Sequence, residues 1–539
     1  MPKLRRLASV VLAGLMLASA LAGCVGGGGG GGGGDDAKTL KIGLDSDILK
    51  LDPAYAYDFT TNPVINQISQ GLMYFDQNTQ LAPLLAKSWR VEEDGLAYIY
   101  DIRDDATFSD GTPMEMEDVV YSLNRHFDDS VGSLLAGQLE NVESITQSGD
   151  WELTVKLKSA DSTFINTLAG TVGHVVKKEY CEAQGDSFGS INGGLIGTGP
   201  YKYVLGSWVT GTGLKLERNE NYWNEDDIGY YDILEFKVIA EETTRVAAIQ
   251  NGDVDILTLP PPALLDTLYG DAKITVLDQP SYGLVYMAFN YAKKPFDDPR
   301  IHKAVAHGIN FVEIHQTLVK RAGQIGTAIP GSEAMFPVEA DRWQNYRHNT
   351  IPVYEYNPEK AAAFLAEAGY ADGLEVSLMT NEDGMRNAIC LAIQEQLGEI
   401  GINVTINKVS GDEHTSYQFG EILEDGLRGY DILMAGWSAD YPDIGNIIEP
   451  LLKSGQTANA AVYSNPEIDA LIVAQFAATD PIERNDLLFE LMDIVTEELP
   501  YLVALHPIKT YALSNKVTGL DAKANWVANV HFQDARPAE

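Results

Sequence analysis

Cysteine is almost absent from this chain: there are three in 539 residues, at positions 24, 181 and 390. So few exclude a disulfide-stapled scaffold and any cysteine-based zinc module. Cys181 and Cys390 lie far apart without motif spacing, so both are expected to be buried thiols. Histidine is scarce too, with nine residues. His302 and His307 share a predicted helix opening at Asp298-Pro299, but an offset of five splays them, so no metal pair is expected. Basic residues number 38 against 77 acidic ones, a formal net charge of -39. Nucleic acid and anionic lipid are thereby excluded as partners, since either would be repelled over the whole surface. The imbalance fits a salt-adapted exported protein or simply an acidic, soluble one.

Catalytic signatures are missing as well. There is no G-x-S-x-G elbow, no H-E-x-x-H helix and no Walker loop. The close glycines of Gly197-Thr198-Gly199-Pro200 and Gly211-Thr212-Gly213 lack the lysine of a phosphate cradle and read as turns. A binding role is expected in place of catalysis, with no cofactor; an exported hydrolase is the alternative from another class.

One long apolar run exists, and it stands at the start. Leu7 to Leu21, behind a basic head of Lys3, Arg5 and Arg6, has the length of a signal-peptide core and is too short to span a bilayer. It ends in Leu21-Ala22-Gly23-Cys24, which resembles a bacterial lipobox with Cys24 as the lipidated first residue of the mature protein. An ordinary secretory leader followed by a plain cysteine is the alternative. Gly26 to Gly34 is unbroken glycine, which cannot bury apolar surface and behaves as a flexible leash. Nothing later offers about eighteen consecutive apolar residues. Residues 1–23 are read as signal peptide and 24–38 as lipidated tether, leaving a body attached to the membrane through lipid alone.

The remaining chain alternates strand and helix patterns, which predicts α/β lobes. Strands read at Leu40–Leu44, Tyr98–Ile102, Leu153–Leu157, Leu214–Glu217 and Leu234–Ile239. After Asp431, Tyr430–Met434 is continuously apolar, as in a strand covered on both faces. Thr112-Pro113-Met114-Glu115 reads as a capping box before the stripe Val119, Val120, Leu123 and Phe127. Asp480-Pro481-Ile482-Glu483 repeats the device for a helix ending before Pro500. Asn357-Pro358 opens a helix closed by Gly369. Ile389, Ile393, Leu397 and Ile400 mark another, stopped at Gly401 and followed by the alternating strand Ile402, Val404 and Ile406.

Several segments in order resemble one family, the extracytoplasmic solute-binding proteins of the oligopeptide, dipeptide and nickel class that feed ABC importers. They include Leu51-Asp52-Pro53-Ala54, Phe108-Ser109-Asp110-Gly111-Thr112-Pro113, Gly197-Thr198-Gly199-Pro200-Tyr201, Asn221-Tyr222-Trp223, Pro295-Phe296-Asp297-Asp298-Pro299-Arg300 and Gly436-Trp437-Ser438-Ala439-Asp440-Tyr441. The resemblance covers essentially the whole mature chain. It implies an α/β two-lobed clamp of the periplasmic-binding-protein type II, with an extra domain on the first lobe. Domain I would comprise residues 39–70, 188–285 and 507–539, domain II residues 71–187 and domain III residues 286–506.

The same resemblance implies a monomeric binder that hands a peptide or other small solute to a permease and ATPase complex; oligosaccharides and nickel complexes are the family's other cargo. Asp440 matches the aspartate that accepts a peptide's α-ammonium. Trp437 would wall that pocket, Ser438 and Ala439 would offer backbone to a peptide lying as an added strand, and Tyr441 adjoins them. Tyr55 and Tyr57 lie in a loop that faces the cleft in relatives. Arg386, just before the helix carrying Ile389, stands close to the carboxylate-binding arginine of dipeptide binders. No histidine stands out near Trp437, which disfavours nickel.

Overall fold

Runs rich in β-branched and aromatic residues become strands here, and the most apolar of them form one large sheet. The computed structural model describes residues 37–539 apart from 57, 77–78, 327–328, 330–334, 337–338, 350–353, 421–427 and 521–529. The chain enters through β1 (Thr39–Leu44), then β2 (Met73–Phe75), β3 (Leu81–Pro83), β4 (Ala86–Val91), β5 (Ala97–Ile102), β6 (Val142–Gly149) and β7 (Glu152–Leu157). There follow β8 (Tyr201–Tyr203), β9 (Gly213–Arg218), β10 (Ile233–Val238), β11 (Ile256–Leu257), β12 (Ile274–Pro280) and β13 (Gly283–Phe289). The last part supplies β14 (Gly323–Ile325), β15 (Leu374–Thr380), β16 (Ile402–Lys408), β17 (Ile432–Ser438), β18 (Tyr501–Ser514), β19 (Val517–Thr518) and β20 (Arg536–Pro537).

The large sheet runs β16-β15-β17-β13-β18-β11-β1-β10-β9-β8, with β12 and β14 added along β18. β18 joins its two halves. Its first residues pair with β13 and β14 and its last with β11 and β12. Each half has a parallel core, β1 with β10 and β11 in one, β15 with β16 and β17 in the other. Parallel strands gather their carboxyl ends along one edge, where α/β proteins hold ligands. A separate antiparallel sheet has the order β4-β5-β7-β6.

β13 is buried at every residue because both faces of the sheet are covered. Tyr286, Ala288, Leu433 and Ala435 pack with Ile447 and Leu488 on one side. Met287, Phe289, Ile432 and Met434 pack with Ile301 and Ile393 on the other. The unbroken apolar run at 432–435 has this cause. β17 begins two residues later than read from sequence and continues to Ser438, so Gly436, Trp437 and Ser438 are strand residues.

Helix ends follow local chemistry. Asp480 caps Pro481–Glu498, and Asn357 caps Pro358–Glu367. Gly369 and Gly401 take left-handed φ values of 93° and 85° where their helices stop. The capping box near residue 112 is a correction. The helix is Met116–Asn124, its cap is Glu115 and the reciprocal partner is Asp118. Pro113 instead makes a bridge to Thr107, and the Thr112 hydroxyl donates to Asp110 at 2.6 Å, closing a turn before the helix begins. Phe127 lies past the helix and is exposed. Cys181 and Cys390 are buried and free. No helix among the described residues is long and apolar enough to cross a membrane.

Candidate functional site

β15 and β17 are parallel, in register at Leu378 with Ile432 and Met379 with Leu433. Their carboxyl ends therefore open on the same edge, where Arg386 follows β15 and Trp437 to Tyr441 end or follow β17; Tyr55 lies elsewhere. β15 gives way to helix Gly384–Glu399, whose cap Asp383 accepts the Arg386 amide at 2.7 Å. Arg386 thus sits inside the first turn and not ahead of the helix. Its guanidinium crosses to β17, with Nη2 2.8 Å from the point where a Cβ on Gly436 would lie. Any larger residue at 436 would displace it. Among the described residues no carboxylate pairs with Arg386 and no acceptor takes its guanidinium.

At the end of β17 the Trp437 indole donates to the Asn446 carbonyl at 2.9 Å and its ring lies 6.1 Å from Phe419. Ser438 is exposed and pairs in register with Gly283. Ala439 is buried, its amide donating to Tyr282 at 3.3 Å. Because β15 pairs with β17 through Ile432 and Leu433, the stretch Gly436–Ser438 has its strand neighbour on the β13 side. The Gly436 carbonyl on the far edge receives the Gln418 amide at 3.0 Å.

Asp440 follows directly. Its amide donates to Asn446 Oδ1 at 2.7 Å, and its Oδ2 accepts from Gln138 Nε2 at 3.1 Å. The residue is exposed to solvent, yet the protein atoms gathered around its carboxylate raise its pKa to about 6, against the opposing effect of the Asn446 side chain. Tyr441 is half-buried and packs into the core beside the four-stranded sheet, with Leu72 and Phe164. Burial, with Asp161 and Asp443 near, raises its phenol. Arg484 holds Asp443 by two bonds of 2.6 and 2.7 Å. The Ser162 amide, from the loop after β7, donates to the Phe476 carbonyl at 2.8 Å. Gln138 and Tyr441 therefore connect the body of the four-stranded sheet to the end of β17, and Ser162 connects it to helix Pro466–Ala477.

Tyr55 ends a 3-10 turn, Pro53–Tyr55, capped by Asp52. Its hydroxyl donates to the Val131 carbonyl and the Lys50 ammonium lies 3.8 Å over its ring. Tyr57 and Cys24 lie outside the described residues. The fold also gathers residues that sequence reading passed over. Gln138 is some 300 positions from Asp440 and carries no motif. Asn446 is only six residues beyond and sits in the first turn of helix Gly445–Leu452. Two histidines reach these strand ends, His414 at 3.0 Å from the Met434 carbonyl and His506 at 3.3 Å from that of Gly283. No cluster of three metal-ligating side chains occurs among the described residues.

Comparison with known proteins bears directly on this geometry. The family described as bacterial extracellular solute-binding proteins, family 5 middle region, matches residues 80–459. The chain belongs to this family. It is 27% identical over 514 residues to the glutathione-binding protein GsiB of Salmonella paratyphi A, covering 94% of this chain and 95% of that one. Among solved structures it resembles the ABC transporter-associated periplasmic binding protein DppA of Helicobacter pylori, in complex with the peptide STSA, at TM-score 0.76 and 23% identity. That likeness covers 93% of this chain and 98% of the other. NikZ of Campylobacter jejuni, in complex with Ni(L-His), matches at TM-score 0.75 and 22% identity over 92% and 99% of the chains. The fold is the two-lobed clamp of periplasmic binding proteins. The protein is a solute-binding component of an ABC transport system and not an enzyme.

Proposed function

We propose that this protein captures small peptides at the outer face of the membrane and delivers them to an ABC permease. One observation carries the reading: a solvent-reached carboxylate, Asp440, and an unpaired guanidinium, Arg386, share the carboxyl edge of β15 and β17. A zwitterionic peptide presents the complementary pair. Its ammonium would bind Asp440 and its carboxylate Arg386, each by a charge-assisted hydrogen bond. Beyond the Gly436 carbonyl, which Gln418 occupies, the free side of Trp437–Ser438 would accept peptide backbone, and Trp437 would pack on a side chain. The glutathione-binding relative and the peptide-bound structural relative support the same ligand class.

We read residues 39–70, 188–285 and 507–539 as the first lobe, 71–187 as an inserted domain and 286–506 as the second lobe. The grouping of β1 and β8–β11 in one half of the sheet, and of β13 and β15–β17 in the other, supports this division. Cys24 would carry the lipid and the polyglycine run would serve as leash for a monomer. Native mass spectrometry of the purified protein, followed by denaturation and identification of the released molecule, tests the ligand. Peptides that co-purify with the wild type and vanish in Asp440→Ala are the expected result. A sugar or a metal complex in their place would overturn it.

A further inference from the structure

A second uncompensated cation stands in the other half of the sheet. Lys509 interrupts the apolar strand β18 and is half-buried, with its ammonium 3.6 Å over the centroid of the Phe59 ring. Among the described residues it has no ion pair and no hydrogen bond on its ammonium. Asp58, next to Phe59, accepts the amides of Thr60 and Thr61 at 2.9 and 2.7 Å, and Asp278, in register with Thr510, accepts its hydroxyl at 3.0 Å. Burial alone lowers the Lys509 pKa, to about 8, so the group is still cationic at neutral pH. A surface lysine would meet water or one of the 77 acidic residues; this one meets an aromatic face.

Its place in the fold points to ligand. Leu257, the last residue of β11, pairs with Ala512, so Lys509 extends about 10 Å past the carboxyl end of that strand. This is the ligand edge of the first half of the sheet. Along β18 in the other direction, Pro507 is two residues away and on the same face as Lys509. Pro507 meets the end of β17: its Cδ and the Trp437 carbonyl lie 3.8 and 3.4 Å from the point where a Cβ on Gly283 would sit, and Gly283 pairs with Ser438. The Ser281 hydroxyl, 2.8 Å from the Pro507 carbonyl, fixes this corner. Lys509 therefore stands beside the candidate site, on the strand that joins both halves of the sheet, with Phe59 from the loop that also carries Tyr55.

We infer that Lys509 receives a second anionic group of the ligand, so that the protein selects peptides with one carboxylate more than their terminal pair. This inference rests on the peptide reading above. Such a peptide has one ammonium for Asp440 and two carboxylates, one for Arg386 and one for Lys509. Cargo of this class includes peptides with an acidic side chain and γ-glutamyl peptides.

The test is isothermal titration of the purified full chain, wild type, Lys509→Met and Lys509→Arg. The probes are glutathione and three matched pairs: Glu-Ala-Ala with Gln-Ala-Ala, Ala-Glu-Ala with Ala-Gln-Ala, and Ala-Ala-Glu with Ala-Ala-Gln. The wild type should favour the Glu member of at least one pair by at least about tenfold. Lys509→Met should erase that preference while binding the Gln member as before, which a misfolded variant would not do. Lys509→Arg should retain it. Equal binding within every pair by the wild type, or a preference that survives in Lys509→Met, would overturn the role of Lys509 and leave the peptide reading standing. A folded wild type that binds none of the seven probes would overturn both.

Discussion

The body of the four-stranded sheet touches the rest of the molecule in two chemically different ways. Toward the first-half loop at Leu51–Pro53 it offers Arg125, whose guanidinium holds Asp52 through bonds of 3.0 and 3.1 Å, both side chains buried. Toward the second half it offers the Gln138 amide and a socket for Tyr441 at the end of β17 and the Ser162 backbone to helix Pro466–Ala477, and the Gln138 contact is exposed. A buried ion pair is costly to separate once made, because either charge left alone lacks both water and partner. Single hydrogen bonds at a wet surface exchange with water for about 1 kcal/mol or less. The first contact is expected to act as a weld and the Gln138 bond as a latch. Such an asymmetry would suit a clamp in which one side parts to admit solute while the other holds its shape.

The greatest loss of stability is expected at the weld. Arg125→Met leaves the buried Asp52 with only Lys50, 3.6 Å away, and the Ala54 amide, and should lower unfolding free energy by about 3 kcal/mol, the low end for a broken buried pair, read by urea denaturation. Removing the latch should cost no such amount. Asp440→Ala should weaken binding of Ala-Ala-Ala about a hundredfold or more, the scale of a lost charge-assisted contact, with unfolding free energy unchanged or slightly higher.

The small gain in stability has a definite sign. The folded-state pKa of Asp440 is raised, to about 6, so the native state binds its proton more tightly than the unfolded chain. Its charge therefore opposes folding above pH 6, and acidification from about 6 to about 4 relieves that opposition. Because solvent reaches the group, the effect should stay below about 1 kcal/mol. Ligand affinity runs the other way. Protonation removes the acceptor of the ammonium, so titrations at pH 5 should give a Kd about tenfold above that at pH 7.5. The smallest effect is expected at Gln138. Gln138→Ala should weaken peptide binding by a few-fold, through faster dissociation, because it removes one exposed bond across the cleft.

Sequence patterns anticipated one of these regions better than the other. Helix caps at Asn357 and Asp480, the glycine stops at 369 and 401 and the doubly covered strand near 432 are local or periodic signals, and they read directly. Trp437, Ala439 and Asp440 sit in one short segment, so their proximity is a matter of sequence as much as fold. Arg386 needed the parallel pairing of β15 with β17 to reach Gly436, and Gln138 needed a contact between separate sheets. No periodicity reports such distances. The misplaced capping box at Thr112 shows the reverse failure. Thr112-Pro113-Met114-Glu115 has the right residue types, but Met114 donates back to Ala106 at 2.9 Å and keeps the segment out of the helix. Lys509 did leave a trace, as a lone charge inside the apolar run of β18, though a lysine at that position reads as readily for an edge residue.

The most direct test of the account needs no variant. Titration of the purified protein with Ala-Ala-Ala, its N-acetyl form and its C-terminal amide at pH 7.5 removes the ammonium and the carboxylate one at a time. The clamp of Asp440 and Arg386 predicts tight binding of the free tripeptide, about a hundredfold loss on acetylation and at least tenfold loss on amidation. Binding of the acetylated and amidated forms as tight as that of the free peptide would contradict it.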